Sequence, residues 1–406
     1  MMLLYNLGVR LYYLAVYIAS FFNKKAKLWI TGRKNQTVIR CQDSIWFHFA
    51  SLGEFEQGRP VLEKMREQHP GRKIVVTFFS PSGYEIRKNT PLADAVYYLP
   101  LDTPANARNF IDAIQPTLAV FTKYEYWYHY FKALHQRNIP LYIVSGIFRP
   151  KQVFFKWYGG LHRKMLTFVS HFFLQDERST QLLQAISITN TTVSGDTRFD
   201  RVWANAQSPR DLPVIKNFIN GKNAFVCGST WPEDEKLLAV LVAAYPDWKF
   251  VIAPHEIGEE KISRLLSVLP QGTAISHSEL VKQVDTYSQQ HDILIIDNIG
   301  MLSSLYQYGR IAYIGGGFGA GIHNTLEAAA FGLPVIFGTN YQNFKEACDL
   351  IALRGGFSIS NETELIATAK RLTDDAAFYE QSSATAKRYV DEQKGATEKI
   401  LKLITV

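Results

Sequence analysis

Cysteine is scarce and scattered in this chain. Cys41, Cys227 and Cys348 are its only three, and none forms a C-x-x-C pair. That excludes a disulfide framework and a cysteine zinc site, and it suits a reducing cytosolic setting. No Walker lysine follows a glycine loop, and no G-x-G-x-x-G closes the first strand of either half. Nucleotide hydrolysis and nicotinamide chemistry lose their usual sequence marks. No Asp-x-Asp follows a strand of the first half, so no divalent cation is demanded. A dense Lys/Arg block is also lacking, which argues against a nucleic-acid partner. What is present is a globular composition, 47% hydrophobic with a mean hydropathy of −0.09. The 406 residues are too many for one compact core and point to two domains. The formal charge of +7 and pI near 9.0 favour polyanionic partners or an anionic membrane surface.

The first 22 residues, MMLLYNLGVRLYYLAVYIASFF, are apolar and aromatic apart from Asn6 and Arg10, and Lys24, Lys25 and Lys27 follow. The run is about long enough to span a bilayer. No small-residue cleavage site follows it, so a cleaved signal peptide is not expected. Three readings stand: a spanning helix, an interfacial helix whose tyrosines sit in the headgroup zone, or a helix packed on its own domain.

From residue 44 short apolar runs alternate with amphipathic stretches. IWFHFA, KIVVTFF, AVYYLP, LAVFTK, LYIVSG, HFFLQ and TTVSGD read as strands of the first half. AFVCGS, KFVIAP, DILIID, RIAYIGG, PVIFG and GGFSIS read as strands of the second. Such runs between helical patterns mean parallel sheets covered on both faces. The fold class is α/β: two doubly wound Rossmann-like domains facing a cleft, with an N-terminal membrane-associated helix. The expected boundaries are 1–27 for the anchor or interfacial helix, 28–200 for the first domain, 201–222 for a linker and 223–406 for the second domain. The tail from 361 to 404 reads as helix, and the C-terminal helix is allowed to return to the first domain.

Every candidate motif falls just after a strand, where open α/β sheets bind ligands. In SLGEFEQGRPVL, residues 51–53 read as a turn and a helix opens at Glu54. A carboxylate in a first helical turn is favoured as the anion, which suits a general base; an ordinary solvated first-turn Glu is the other reading. Glu56 is expected in solvent. TKYEYWYHY places Lys123 and Glu125 at a strand end, Glu125 where a helix would begin, with a possible pair between them. Tyr124, Tyr126, Trp127, Tyr128 and Tyr130 form either a sugar-binding wall or plain core. GSTWPEDE offers Ser229 and Thr230, as phosphate ligands or as an N-cap, with Pro232 in the first turn. His255 and Glu256 lie beyond another strand; their adjacency is poor metal spacing.

The densest signal is GGGFGAGIHNTLEAAAFGLPVIFG, residues 315–338, with five glycines in seven positions. Glycine lets backbone press close to a ligand, and a helix start beyond it favours an anion. Gly316, Gly317, Gly319 and Gly321 are the candidate cradle. With a helix from near Ile322, His323 and Glu327 share one face beside Asn324. A tight turn packing helix on sheet is the alternative.

Together these segments resemble one family, the 3-deoxy-D-manno-octulosonic acid (Kdo) transferases, glycosyltransferases of the GT-B type. SLGE is similar to its S-x-G-E turn, and TKYEYW to its E-T-E-x-W-P segment with Lys123 in place of the first Glu. SGDTRFD resembles G-N-x-K-F-D, with Arg198 for Lys; GSTWPEDE matches G-S-T-h-x-x-E-E. The glycine stretch matches G-G-S-F-x-x-x-G-G-H-N-x-L-E-x-A-x-x-G-x-P-V-x-x-G. APHEIGE departs from P-R-H-P-E-R by lacking the arginine. The resemblance implies an inverting transfer of Kdo from CMP-Kdo to a lipid A precursor (lipid IVA) at the cytoplasmic side of the inner membrane, without metal or other cofactor. It makes Glu54 the base and gives Glu125 and Lys123 to the acceptor side. It gives Ser229, Thr230, His255, the four loop glycines, His323, Asn324, Glu327 and Arg198 to the donor. The oligomeric state is left open. The rival readings are another sugar-nucleotide enzyme of the same fold, either a UDP-sugar transferase or an epimerase, and an inactive nucleotide-binding membrane protein.

Overall fold

The computed structural model describes residues 2–283 and 290–405. The chain divides into two compact units: Met1–Arg201 together with Lys394–Val406, and Val202–Gln393. Each is built on a seven-stranded parallel sheet.

The first sheet holds β1 (Ser44–Phe49), β2 (Ile74–Phe78), β3 (Ala95–Tyr98), β4 (Pro116–Thr122), β5 (Leu141–Gly146), β6 (His171–Leu174) and β7 (Thr191–Val193). Its order is β3-β2-β1-β4-β5-β6-β7. Every residue of β1, β2 and β5 is buried, because helices cover both faces. Alternation along β1 feeds two cores: Trp46 packs with Phe110 and Phe121 on one face, while Ile45, Phe47 and Phe49 pack with Val61 and Leu62 on the other.

The second sheet holds β8 (Ala224–Thr230), β9 (Lys249–Pro254), β10 (Ala274–Ser276), β11 (Ile293–Ile295), β12 (Ile311–Ile314), β13 (Val335–Phe337) and β14 (Gly356–Ser358). Its order is β10-β11-β9-β8-β12-β13-β14. Strand β10 was not expected from the sequence; three residues at a sheet edge are too few for a readable apolar run.

In each sheet the winding reverses once, between β1 and β4 and between β8 and β12. At such a switch point the helices leave to opposite faces and open a crevice beyond the strand ends.

Residues 201–222 are not a free linker. Helix Thr197–Gln207 runs across the unit boundary, and helix Pro213–Ile219 buries Ile215 and Phe218. The tail forms three helices, Glu362–Asp374, Ala376–Gln393 and Ala396–Leu401. The last belongs to the first unit, where Ile400 joins the core with Val61 and Leu62. Asp200 fastens it there by accepting hydrogen bonds from the Gly395 and Thr397 amides.

The N-terminal helix, Met2–Ala19, is long and apolar enough to cross a membrane, yet none of its residues is fully buried. One side lies on the first unit. The Tyr5 hydroxyl donates to Asp102, Asn6 meets His129 Nε2 at 2.7 Å, and Tyr12 packs on Trp29 and Phe79. On the other side Leu4, Leu7, Leu11, Leu14 and Ile18 are exposed at alternating spacings of three and four, one continuous apolar stripe.

Candidate active site

At the first switch point, helix Leu52–Gln68 follows β1 almost directly, with Ser51 as its N-cap. It opens two residues before the expected start, so Leu52 and Gly53 are helical and Glu54 sits inside the first turn. The Ser51 hydroxyl donates to the Glu54 carboxylate and fixes its rotamer. Glu56 is not in open solvent: it pairs with Arg87 at 2.6 Å, Arg201 at 2.9 Å and Arg59 at 3.6 Å.

Beside it, β4 is followed by Lys123, whose φ of +66° is unusual for a side chain with a Cβ and turns the chain sharply. Its ammonium lies 5.4 Å from the Tyr124 ring centre. Glu125 precedes the next helix, which begins only at Tyr128. One carboxylate oxygen, Oε2, receives both His48 Nε2 at 3.1 Å and the Trp127 indole N–H at 2.9 Å. His48 is fully buried in β1 and held on its other nitrogen by Thr77 at 2.8 Å. These contacts hold Glu125 by one oxygen. His48 was missed in the sequence, where a buried His inside an apolar strand gives no signal of its partner.

The aromatic wall divides. Tyr128 and Tyr130 are core residues, and Trp127 stacks on Phe79 at 4.9 Å. Tyr124 alone among the five is exposed. The part of its ring that is covered still raises its phenol, with Arg149, Glu54, Arg198 and Asp176 in electrostatic reach. Arg198 lies in this first unit, bonded to Asp196 at 2.7 Å. Burial works to raise Asp196, but Arg198 and the Gln57 amide outweigh it and hold the carboxyl below its usual range.

At the second switch point, Ser229 takes a φ of +54° at a bulge where β8 loses register with β9. Bulges re-aim side chains at strand ends. The helix cap is neither Ser nor Thr: Trp231 is the N-cap, Pro232 opens helix Pro232–Ala244, and the Asp234 carboxylate reaches back to the N-cap amide. Asp234, also missed in the sequence, accepts from the Trp231 amide at 2.9 Å, the Gly316 amide at 2.8 Å and the Tyr313 hydroxyl at 2.8 Å.

The glycine run owes most of its glycines to backbone contact. A Cβ on Gly315 would stand 2.3 Å from the Ser229 carbonyl oxygen, and one on Gly317 would stand 2.6 Å from Gly338. Gly321 combines a φ of +131° with a ring of Phe344 at 2.9 Å from such a Cβ. Gly319 meets nothing closer than 3.8 Å. The amides of Gly315, Gly316, Gly319, Gly321, Ile322 and His323 all donate to acceptors within the chain. The expected amide cradle is therefore largely occupied by the fold itself.

The helix beyond the loop is Leu326–Ala330, not a run from Ile322. His323 and Glu327 do not share a helical face. Instead Asn324 donates to Glu327 Oε1 at 3.1 Å and accepts from the Leu326 amide at 3.0 Å. Two hydroxyls flank this turn, Thr230 Oγ1 and Thr325 Oγ1, both buried and without a partner among the described residues. Orphaned buried hydroxyls call for a ligand or a water. His255 ends up against Trp231 and His323, with ring centres at 4.7 and 4.5 Å.

Comparison with known proteins bears on the family and the fold. The family model described as 3-Deoxy-D-manno-octulosonic-acid transferase (kdotransferase) matches residues 22–201. A 3-deoxy-D-manno-octulosonic acid transferase of Chlamydophila psittaci is 28% identical over 369 residues, covering 87% of this chain and 83% of that protein. One of Aquifex aeolicus is 24% identical over 339 residues, covering 82% and 86%. Among solved structures, UDP-GlcNAc 2-epimerase from Neisseria meningitidis bound to UDP-GlcNAc superposes with a TM-score of 0.63 at 15% identity, over 88% of this chain and 98% of that one. At that identity it shares the GT-B architecture and nothing finer is read from it. Over residues 22–201 the chain carries the domain of the 3-deoxy-D-manno-octulosonic acid transferase family of glycosyltransferases, and relatives of that name align with most of its length.

Proposed function

We propose that this chain transfers Kdo from CMP-Kdo to a lipid A precursor, lipid IVA, with inversion, in lipopolysaccharide synthesis at the cytoplasmic face of the inner membrane. The observation that carries the reading is topological: the chemistry-bearing residues of each unit gather at that unit's switch point. Glu54 and Glu125 follow β1 and β4; Ser229 and Thr230 close β8, and the 315–327 segment follows β12.

Glu54 takes the proton of the acceptor hydroxyl. The oxygen then attacks the anomeric carbon of Kdo, whose bond to the phosphate oxygen breaks, and CMP leaves with the bonding pair. A positioned base supplies about 10²–10⁴-fold. Glu125, held by His48 and Trp127, presents its second oxygen to the acceptor, and Lys123 and Arg198 serve anionic groups on the substrates. In the second unit the Thr230 and Thr325 hydroxyls donate to the phosphate, with Ser229, His255, His323 and Asn324 around it. Glu327 accepts from ribose hydroxyls. The glycines, from Gly316 to Gly321, shape the turn more than they bind. No step is assigned to a metal.

The outward apolar stripe of the N-terminal helix enters the lipid interface while its other side stays on the protein. This two-sided packing supports the interfacial reading. The basic charge favours the anionic leaflet, the anionic donor and the phosphorylated acceptor alike.

Purified protein incubated with CMP-Kdo and lipid IVA in the presence of a chelator, with products weighed by mass spectrometry, tests the whole reading. Expected is a Kdo-bearing product. Turnover of UDP-GlcNAc instead, or of neither donor, overturns it.

A further inference from the structure

The second switch point contains a three-ring stack whose geometry restricts one histidine to a single form. Trp231 and His323 lie nearly coplanar, 8° apart, and the indole Nε1 is 3.0 Å from His323 Nε2. An indole nitrogen is a donor only. His323 Nε2 must therefore be the acceptor, and in the neutral ring the proton then resides on Nδ1. His255 lies over both rings, 22° from Trp231 and 27° from His323. Protonating His323 would put a second N–H against the indole N–H. No acceptor for Nδ1 is found among the described residues, so this donor remains available to a ligand.

The surroundings act in the same direction. Burial first, then the nearby His255, pushes His323 down to about 4. Two carboxylates border the site and neither bonds the ring in the contacts described. Asp234, on the helix that Trp231 caps, is engaged by three donors of its own. Glu327, on the helix after the loop, receives Asn324. The side chain of a generic histidine in water titrates near 6.5. This one is removed from that range by its burial and by His255, and the hydrogen bond accepted by its deprotonated Nε2 acts in the same direction.

We propose that Trp231 is a positioning residue that locks His323 as the neutral Nδ1–H tautomer, so that the sugar-nucleotide donor meets a fixed hydrogen-bond donor there rather than a titrating cation. The proposal rests on the reading that the donor binds at the β8/β12 switch point, but the tautomer itself belongs to the unliganded protein. Its consequence for recognition is specific. A neutral N–H donates to a phosphate, carboxylate or hydroxyl oxygen with strict direction, and its strength does not vary with pH across the neutral range. Charge neutralisation of the phosphate falls to other groups.

The test uses full-length protein in micelles, labelled with ¹⁵N-histidine, followed by long-range ¹H–¹⁵N spectra from pH 5.5 to 8.5. His323→Gln identifies the His323 signals among the ten histidines. The expected result in the wild type is the neutral Nδ1–H pattern, unchanged over that range. In Trp231→Phe, which keeps an aromatic ring but removes the indole N–H, His323 loses the lock and shows a mixture of the two neutral tautomers. The KM for CMP-Kdo then rises several-fold while kcat changes little. A wild-type His323 that shows the Nε2–H pattern, or titrates near 6.5, overturns the proposal whether or not the variant folds. Locked His323 signals together with no turnover of CMP-Kdo would instead leave the tautomer standing and refute the donor assignment.

Discussion

Asp234 and Gly316 are joined across the second switch point by a 2.8 Å hydrogen bond from the glycine amide to the carboxylate. The same carboxylate caps the helix at Trp231 and holds the Tyr313 hydroxyl, so one side chain ties the end of β8, β12 and the loop after β12 into one body. Burial pushes Asp234 above the usual carboxylate range, with three hydrogen bonds opposing it. Asp234→Ala leaves three inward-facing donors without an acceptor, each lost bond worth about 1–3 kcal/mol. The expected outcome is a loss of unfolding free energy on the order of 3 kcal/mol or more in urea titration, with weaker CMP binding as the loop loosens. Asp234→Asn retains an acceptor oxygen and recovers part of both.

Glu54 is expected to act on chemistry rather than on binding. Its carboxylate is held only by Ser51 in the contacts described, so Glu54→Gln removes little packing and keeps the helix start intact. Turnover should fall about 10²–10⁴-fold, the usual loss of a general base, while the affinity for CMP measured by calorimetry changes by less than twofold. A variant that turns over at near the wild-type rate would remove Glu54 from the reaction.

The sheets were legible because strands buried on both faces are written as continuous apolar runs, and thirteen of the runs named in the sequence became strands. Strand β10, three residues long at an edge, carries no such run. The motifs were legible because turns and helix starts use local residue types. What holds those motifs was not. His48 and Glu125 are 77 positions apart, and Asp234 and Gly316 are 82 apart. No local pattern announces a hydrogen bond over that distance. The glycine loop misled in an instructive way: glycine is required equally by a close ligand and by a close backbone, and here Gly315 and Gly317 answer to Ser229 and Gly338.

Membrane attachment should follow the outward stripe of the N-terminal helix. Leu7 and Leu14 are exposed on it, whereas Tyr5 and Asn6 face the protein. Removing both leucines from a lipid interface forfeits about 3 kcal/mol together, or about a hundredfold in partition coefficient. Leu7→Glu with Leu14→Glu should therefore move the protein from vesicle pellet to supernatant in sedimentation with anionic liposomes. Its unfolding midpoint should stay near the wild-type value, because neither side chain packs on the body. Co-sedimentation unchanged by the double substitution would refute the interfacial assignment.

The contact of that helix with its own unit predicts an unusual pH dependence of stability. Asp102 is buried and accepts from the Tyr5 hydroxyl and from the His129 and Tyr130 amides. Burial dominates these bonds and raises its carboxyl to about 6, from 3.8. A folded-state value above the unfolded one means that the native protein binds the proton more tightly between those limits. The contribution is thus fully favourable below about 3.8 and is lost as the pH rises through about 6. A difference of about two units corresponds to about 3 kcal/mol. In urea titrations of wild type and Asp102→Asn at pH 4.5 and 7.5, the wild type should lose stability relative to the variant on going to the higher pH, by an amount of that order. The variant carries no ionisable group here, so it should lack this component. Parallel pH profiles for the two proteins would show that Asp102 titrates normally, and that Tyr5 and the two amides outweigh its burial.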